Sequence, residues 1–357
     1  MRVSIPTALL LPCCLVAASS AVKGHGQPII IDTDLFGDVD DVGALTIANV
    51  LHNCGLADLR GIAINTPSQY GAPAASAICS YFGNDHVPVA AIRPITNASF
   101  FDDWDYVRGE YASKVAYNWP GSLTNASLAP TPVELYRSIL ASAGNNSLHI
   151  ISIGFLTNLA NLLRSEADDA SPLNGTELLA AKVSELIVMG GRYPSGWEYN
   201  FGGTDPNSTA YVIEHWPNTI PITFSGGELG STIFSGQRPL TEQVPPPSSE
   251  SLPVSAYQWY VGRGSVERET WDPITVLYGI LGLENFTKLG VWPMLAYANE
   301  YGYNTITANN GSNAWVNDTT VRNQHWLKLA DGVTNTSMAW LIDNFLIHPP
   351  GLSRCLV

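Results

Sequence analysis

From residue 28 to residue 224, short apolar runs alternate with helix-patterned segments, and that rhythm confines the chain to the α/β class. It predicts strands at Pro28–Asp32, Leu59–Ile64, Leu148–Ile153, Val183–Met189 and Ile220–Phe224. Helices are predicted between them at Asp41–His52, Ala72–Tyr81, Pro132–Ala143, Thr157–Ser165 and Thr209–His215. The architecture that follows is a single domain with a mainly parallel open sheet and helices on both faces. Two segments break the rhythm: Pro94–Pro130, dense in aromatics, and the Pro-rich Glu242–Pro253. Segments of this length are lids or binding loops, or else glycosylated surface excursions, and the sequence leaves both readings open.

The chain has 357 residues, of which 45% are hydrophobic and only 13% charged, so it can bury a large core and is not a disordered chain. Seventeen Lys and Arg against thirty-one Asp and Glu give a net charge of −14, which repels phosphate backbones and argues against nucleic-acid binding. Arg2, the apolar stretch Ala8–Ala18 and the small residues Ser19-Ser20-Ala21 form a signal-peptide pattern over residues 1–21, leaving 22–357 as the mature domain. The later apolar stretches are too short to span a membrane.

Export is also suggested by nine N-x-S/T sequons, beginning at Asn97, Asn125, Asn145, Asn174, Asn207, Asn285, Asn310, Asn317 and Asn335. With 25 Asn and about 15% Ser plus Thr, chance would place roughly four. The expectation is a secreted, N-glycosylated protein. After leader removal only Cys54, Cys79 and Cys355 remain, so at most one intrachain disulfide can form, in any of three pairings.

The stretch richest in chemistry follows the first strand. Asp32, Asp34, Asp38, Asp40 and Asp41 put five carboxylates within ten residues. Converging carboxylates raise one another's pKa, whereas a hard cation such as Ca²⁺ takes six to eight oxygen ligands and removes the repulsion. The carboxyl end of a parallel strand is also where open α/β sheets place their ligands. An EF-hand fails, because the fifth and twelfth loop positions counted from Asp32 are Phe36 and Gly43. A phosphatase using Asp32 and Asp34 leaves Asp40 and Asp41 unexplained. A solvated helix cap accounts for one or two of the carboxylates but not five.

Asp32-Thr-Asp34 followed by Asp40-Asp41 at a strand end resembles the nucleoside hydrolases of the inosine–uridine-preferring type, in the variant whose aspartate loop is two residues longer. Further matches follow in order: Gly154-Phe-Leu-Thr-Asn158, Val188-Met-Gly-Gly191, Trp197-Glu198-Tyr-Asn200-Phe and Trp271-Asp272-Pro273. Together they cover residues 28 to 345. The resemblance implies the family's Rossmann-like fold and hydrolysis of the N-glycosidic bond of ribonucleosides to free base and ribose. It implies Asp34 as general base and Ca²⁺ ligand, Asp41 and Asp272 as further ligands, and the backbone carbonyl of Ile153 as the last protein ligand. It also implies that Asp40, Asn65, Glu198 and Asn200 hold ribose hydroxyls. Asp32 and Asp38 receive no direct role, although Asp32 could orient its neighbours.

Two positions depart from the family pattern. Trp271 stands where much of the family has a His before the last aspartate, and an indole can stack on a base but not protonate it. That looks like the solution of purine-preferring members. Arg192 replaces the Asn usually found six residues before the Glu-x-Asn element. None of the seven His falls in a matched motif, so no catalytic acid is assigned. The expected partner is a small nucleoside, with neither nucleic acid nor membrane involved, and a homo-oligomer is left open. The rival expectation is a weakly active or inactive Ca²⁺-dependent nucleoside- or sugar-binding protein.

Overall fold

A computed structural model describes residues 26–98, 109–238, 251–262, 267–352 and 355. The expected signal peptide over residues 1–21 lies outside the described residues, as do 99–108 of the aromatic segment and 242–250 of the Pro-rich one.

The strands are β1 (Gln27–Thr33), β2 (Ala57–Ile64), β3 (Val89–Ala91), β4 (Leu148–Ile153), β5 (Val183–Met189), β6 (Ser195–Gly196), β7 (Ile222–Ser225), β8 (Phe234–Ser235), β9 (Arg268–Glu269), β10 (Leu295–Tyr297), β11 (Tyr303–Ile306), β12 (Asn313–Val316) and β13 (Gln324–Leu329). Eight form one sheet in the order β10-β13-β7-β5-β4-β1-β2-β3, parallel throughout except for the edge strand β10. Strand order reverses at β1, which pairs with β2 on one side and β4 on the other. Such a switch point opens a crevice at the carboxyl ends of the strands, because successive crossovers leave to opposite faces.

β1 shows why the apolar run had to be continuous. Ile29 and Ile31 pack into one core and Ile30 into the other, so both faces of the strand are dry. On the first face, helices Asp40–Asn53 and Trp271–Leu281 lie against each other. Gly43 permits that approach, since a Cβ there would stand 2.7 Å from the Tyr257 hydroxyl and 3.2 Å from Pro273 Cγ.

Boundaries shift where caps or prolines dictate. The helix expected at Thr209 begins at Pro206, because the Asp205 side chain accepts the Ser208 N–H at 3.1 Å. The strand expected at Ile220 begins at Ile222, past a turn closed by Ile220 N–H to Pro217 O and past Pro221, which has no donor. Helix Trp271–Leu281 has no amphipathic period to read, since Asp272 to Leu281 are all buried.

The described part of the aromatic segment is divided, its middle joining the core while Tyr117, Leu128, Asn97 and Asn125 are exposed. Tyr111 and Val115 are fully buried, and the Tyr111 hydroxyl donates to the carbonyl of Asp38. Of the three disulfide pairings, the structure has Cys54 with Cys355, leaving Cys79 buried and free. No helix among the described residues is long and apolar enough to cross a membrane.

Candidate active site

Two helices start at the carboxyl end of β1. Asp40 and Asp41 occupy the first turn of helix Asp40–Asn53, and Asp272 the first turn of helix Trp271–Leu281. Carboxylates are favoured there by the partial positive charge of helix N-termini. The Thr33 hydroxyl donates to Asp41 Oδ1 and accepts the Leu35 N–H at 3.1 Å, which turns the chain so that Asp34 faces the two helix ends. Asp40 Oδ2 accepts the Asp272 N–H at 3.1 Å and ties the helices together. Carboxylate oxygens of Asp34, Asp41 and Asp272 converge to within 4.8 Å of one another.

Burial pushes the Asp34 carboxyl up to about 7, and the neighbouring Asp38, Glu198 and Asp32 add to it. Asp40, Asp41 and Asp272 are raised well above the usual range, first by burial and then by repulsion from neighbouring aspartates, Asp34 and Asp38 among them. Asp41 Oδ2 is buried and has no hydrogen-bond partner among the described residues. An unsatisfied oxygen inside a repelling triad is costly unless a cation completes it, and an all-oxygen set suits a hard divalent ion. The residues therefore fit a hard divalent cation.

Asp32 faces the other way. Its carboxylate accepts from Asn65 Nδ2 at 2.6 Å, Tyr136 Oη at 2.8 Å and Asn158 Nδ2 at 3.0 Å, a web that fixes the strand end from behind. Burial still raises it to about 7. Asn65 also donates to the Phe155 carbonyl at 3.0 Å, which leaves its buried Oδ1 without a partner among the described residues. Gly154 permits this crossing, because a Cβ there would fall 2.6 Å from Asp34 N and 2.7 Å from Asn65 Nδ2.

These groups open into a cavity of about 640 Å³, large enough for a nucleoside-sized ligand. All nine residues singled out from the sequence line it: Asp34, Asp40, Asp41 and Asp272 at the acidic cluster, Ile153 and Asn65 at the ends of β4 and β2, and Glu198, Asn200 and Trp271 on the remaining wall. Glu198 caps the short helix Tyr199–Gly202, accepting N–H groups of Gly191 at 3.1 Å, Asn200 at 2.8 Å and Phe201 at 3.3 Å. Burial raises its carboxyl to about 7 against those bonds. Asn200 is held by donating to the Met189 carbonyl at 3.3 Å. Trp271 is half-buried on the cavity wall, and its Nε1 donates to Gly227 O at 2.8 Å. No His among the described residues lines the cavity.

Sequence reasoning missed one pair entirely. Arg268 grips Asp38 with two forked contacts, Nε to Oδ1 and Oδ2 at 2.9 Å each plus an Nη2 contact to Oδ2, while Nη1 donates to Glu269 at 2.9 Å. Its guanidinium lies 5.3 Å from the Trp271 ring centre and 5.5 Å from that of Tyr260. Asp38 lies in the loop between Asp34 and Asp40, so this ion pair fastens that loop to the segment that leads into the Trp271 helix. Arg268→Gln should therefore lower kcat/KM at least about tenfold and the melting temperature by a few degrees, since breaking a mostly buried ion pair strands Asp38 beside four other acids. Unchanged kinetics and melting would refute this positioning role.

Comparison with known proteins agrees with the geometry. The sequence profile of the family described as inosine-uridine preferring nucleoside hydrolase matches residues 29–278. A plant nucleoside hydrolase, PpNRh1, superposes with a TM-score of 0.60 at 17% identity, covering 90% of this chain and 99% of that one. An inosine-guanosine nucleoside hydrolase gives 0.62 at 16% identity, with 90% and 98% covered. A purine-preferring ribonucleoside hydrolase from Gardnerella vaginalis gives 0.60 at 16% identity, with 92% and 99% covered. A sequence comparison with curated proteins finds no match.

Proposed function

This chain belongs to the inosine-uridine preferring nucleoside hydrolase family and is an N-ribohydrolase, and on that premise we propose that it hydrolyses purine ribonucleosides in a Ca²⁺-dependent reaction. The observation that carries the metal requirement is the convergence of Asp34, Asp41 and Asp272 around the unpartnered Asp41 Oδ2. These three carboxylates and the Ile153 carbonyl would hold the ion. When bound, Ca²⁺ orients a water and the ribose hydroxyls together and lowers the water's pKa modestly.

The chain's own residues do the rest. Asp34, placed among the carboxylates that would hold the ion, takes the proton from the attacking water. Asp40, Glu198, Asn200 and the free Oδ1 of Asn65 accept or donate hydrogen bonds to ribose hydroxyls, holding the sugar while C1′ develops oxocarbenium character. Trp271 has given its only N–H to Gly227, so it offers the base a ring face and no proton. Purine preference rests on that ring and on the names of two structural neighbours, which are described as acting on inosine and guanosine or as purine-preferring.

Incubation with inosine, adenosine and uridine, with reducing sugar measured before and after chelation and after Ca²⁺ or Mg²⁺ is restored, tests the reading. Ribose release that survives complete chelation would end the metal proposal. Trp271→Ala should cut kcat/KM for inosine and adenosine more than for uridine, because stacking of about 1 kcal/mol favours the larger bicyclic base. Equal losses for all three, with a lowered melting temperature, would reduce Trp271 to a packing residue.

Secretion is part of the same proposal. A Cys54–Cys355 disulfide suits an oxidising compartment, and of the nine sequon asparagines seven are exposed and two half-buried. A mobility shift on peptide N-glycosidase treatment and a mature N-terminus near residue 22 are expected. An unglycosylated chain that retains its leader would overturn this part.

A further inference from the structure

The cavity wall holds two guanidinium groups among seven carboxylates, and their situations differ. Arg268 is committed to Asp38 and Glu269. Arg192 is exposed and makes no side-chain hydrogen bond and no ion pair with any of the described residues; Glu228 acts on it only electrostatically. Its position is nevertheless built. The Arg192 backbone N–H donates to Asn313 Oδ1 at 2.7 Å, and its side-chain stem lies along Gly196, where a Cβ would stand 2.8 Å from Arg192 Cβ and 3.0 Å from Cδ. Its predecessor Gly191 donates to Glu198 at 3.1 Å, so the cation is joined to the ribose-holding side of the wall. Trp197 and Tyr199, both exposed, share that rim.

On the reading that this is a ribohydrolase, ribose has a fixed polarity in the cavity. Its vicinal 2′- and 3′-hydroxyls suit the acidic cluster, where two adjacent oxygens can meet a cation and its carboxylates together. The base at C1′ goes to Trp271. The remaining exocyclic oxygen, O5′, is then left for Glu198 and Asn200, beside Arg192. A guanidinium at that point that makes no hydrogen bond or ion pair with any described residue, and meets Glu228 only electrostatically, is matched by a phosphoryl group, whose oxygens it can grip in pairs.

The geometry points to Arg192 as a reader of the 5′-phosphate, which makes nucleoside 5′-monophosphates substrates of this site in preference to the unphosphorylated ribosides. The reaction balances as a hydrolysis. The C1′–N bond breaks with its electron pair going to the base, water supplies the new C1′–O bond, and its two hydrogens finish on the 1-hydroxyl and on the base. The products are free base and ribose 5-phosphate. An acidic floor repels a phosphate dianion, so discrimination in favour of phosphate depends on this one cation.

The test measures kcat/KM for adenosine and adenosine 5′-monophosphate with the wild-type protein, Arg192→Ala, Arg192→Asn and Arg192→Lys, identifying ribose 5-phosphate as such. A wild-type ratio favouring the monophosphate, which falls about tenfold or more in Arg192→Ala and Arg192→Asn through KM and is partly restored in Arg192→Lys, is expected. Ribose 5-phosphate should also inhibit adenosine hydrolysis more strongly than ribose, and lose that advantage in Arg192→Ala. Adenosine turned over at least as well as its monophosphate, with a ratio indifferent to Arg192, overturns the inference and leaves the ribohydrolase reading standing. No base released from either compound overturns both.

Discussion

Asp34→Asn should fold as the parent does and lose at least about a hundredfold in kcat on any ribonucleoside it hydrolyses. The amide is nearly the size of the carboxylate and keeps one oxygen toward the neighbouring Asp41 and Asp272, so packing at the β1 end survives. What disappears is a group able to accept a proton at neutral pH. Asp34 is suited to that work because it stands among the carboxylates that would hold the ion, and so beside the water that must lose a proton. Ribose release under saturating substrate, beside circular dichroism and thermal melting, separates chemistry from folding. A near-normal kcat would remove Asp34 from the role of general base.

Asp41→Ala and Asp272→Ala should each weaken Ca²⁺ binding at least about tenfold and reduce activity with it. Each removes a carboxylate from a set of three and leaves fewer than the ion needs. Loss of Asp41 also takes away the acceptor of the Thr33 hydroxyl, so β1 loses one of the contacts that set its exit. A structural defect and a lost ligand predict different melting behaviour. Without metal these variants should melt no lower than the parent, since the mutual repulsion of the buried acids is relieved. With Ca²⁺ the parent's melting temperature should rise and theirs should not. Calorimetric titration that gives the parental affinity in both variants would overturn the ligand set.

The strands and helices expected up to residue 224 were legible because their causes are local, whereas β3 and the helices Ala112–Asn118 and Gly175–Lys182 were not among them. β1 reads as an uninterrupted apolar run since both of its faces are buried, and β4 and β5 end where the sequence says they should. Asp34, Asp41 and Asp272 could be singled out because a dense run of acids and a Trp-Asp-Pro element stay recognisable as linear motifs. Helix Trp271–Leu281 was not legible as such, because a helix buried on every side carries no 3.6-residue period.

By itself the sequence determined which residue types the site contains and which strand ends carry them, since strand burial, turn chemistry and acid density act over neighbouring residues. The tertiary structure alone decided the partners. Asp38 meets Arg268 across 230 positions, Cys54 chooses Cys355 across 301, and Tyr111 reaches back to Asp38 across 73. The two pairings of Asp38 depend on how the crossovers on either side of the β1 switch point bring distant segments to one crevice, while Cys54 meets Cys355 at the opposite end of the Asp40–Asn53 helix. Chain spacing does not encode such meetings, because they are set by packing energy summed over the whole core.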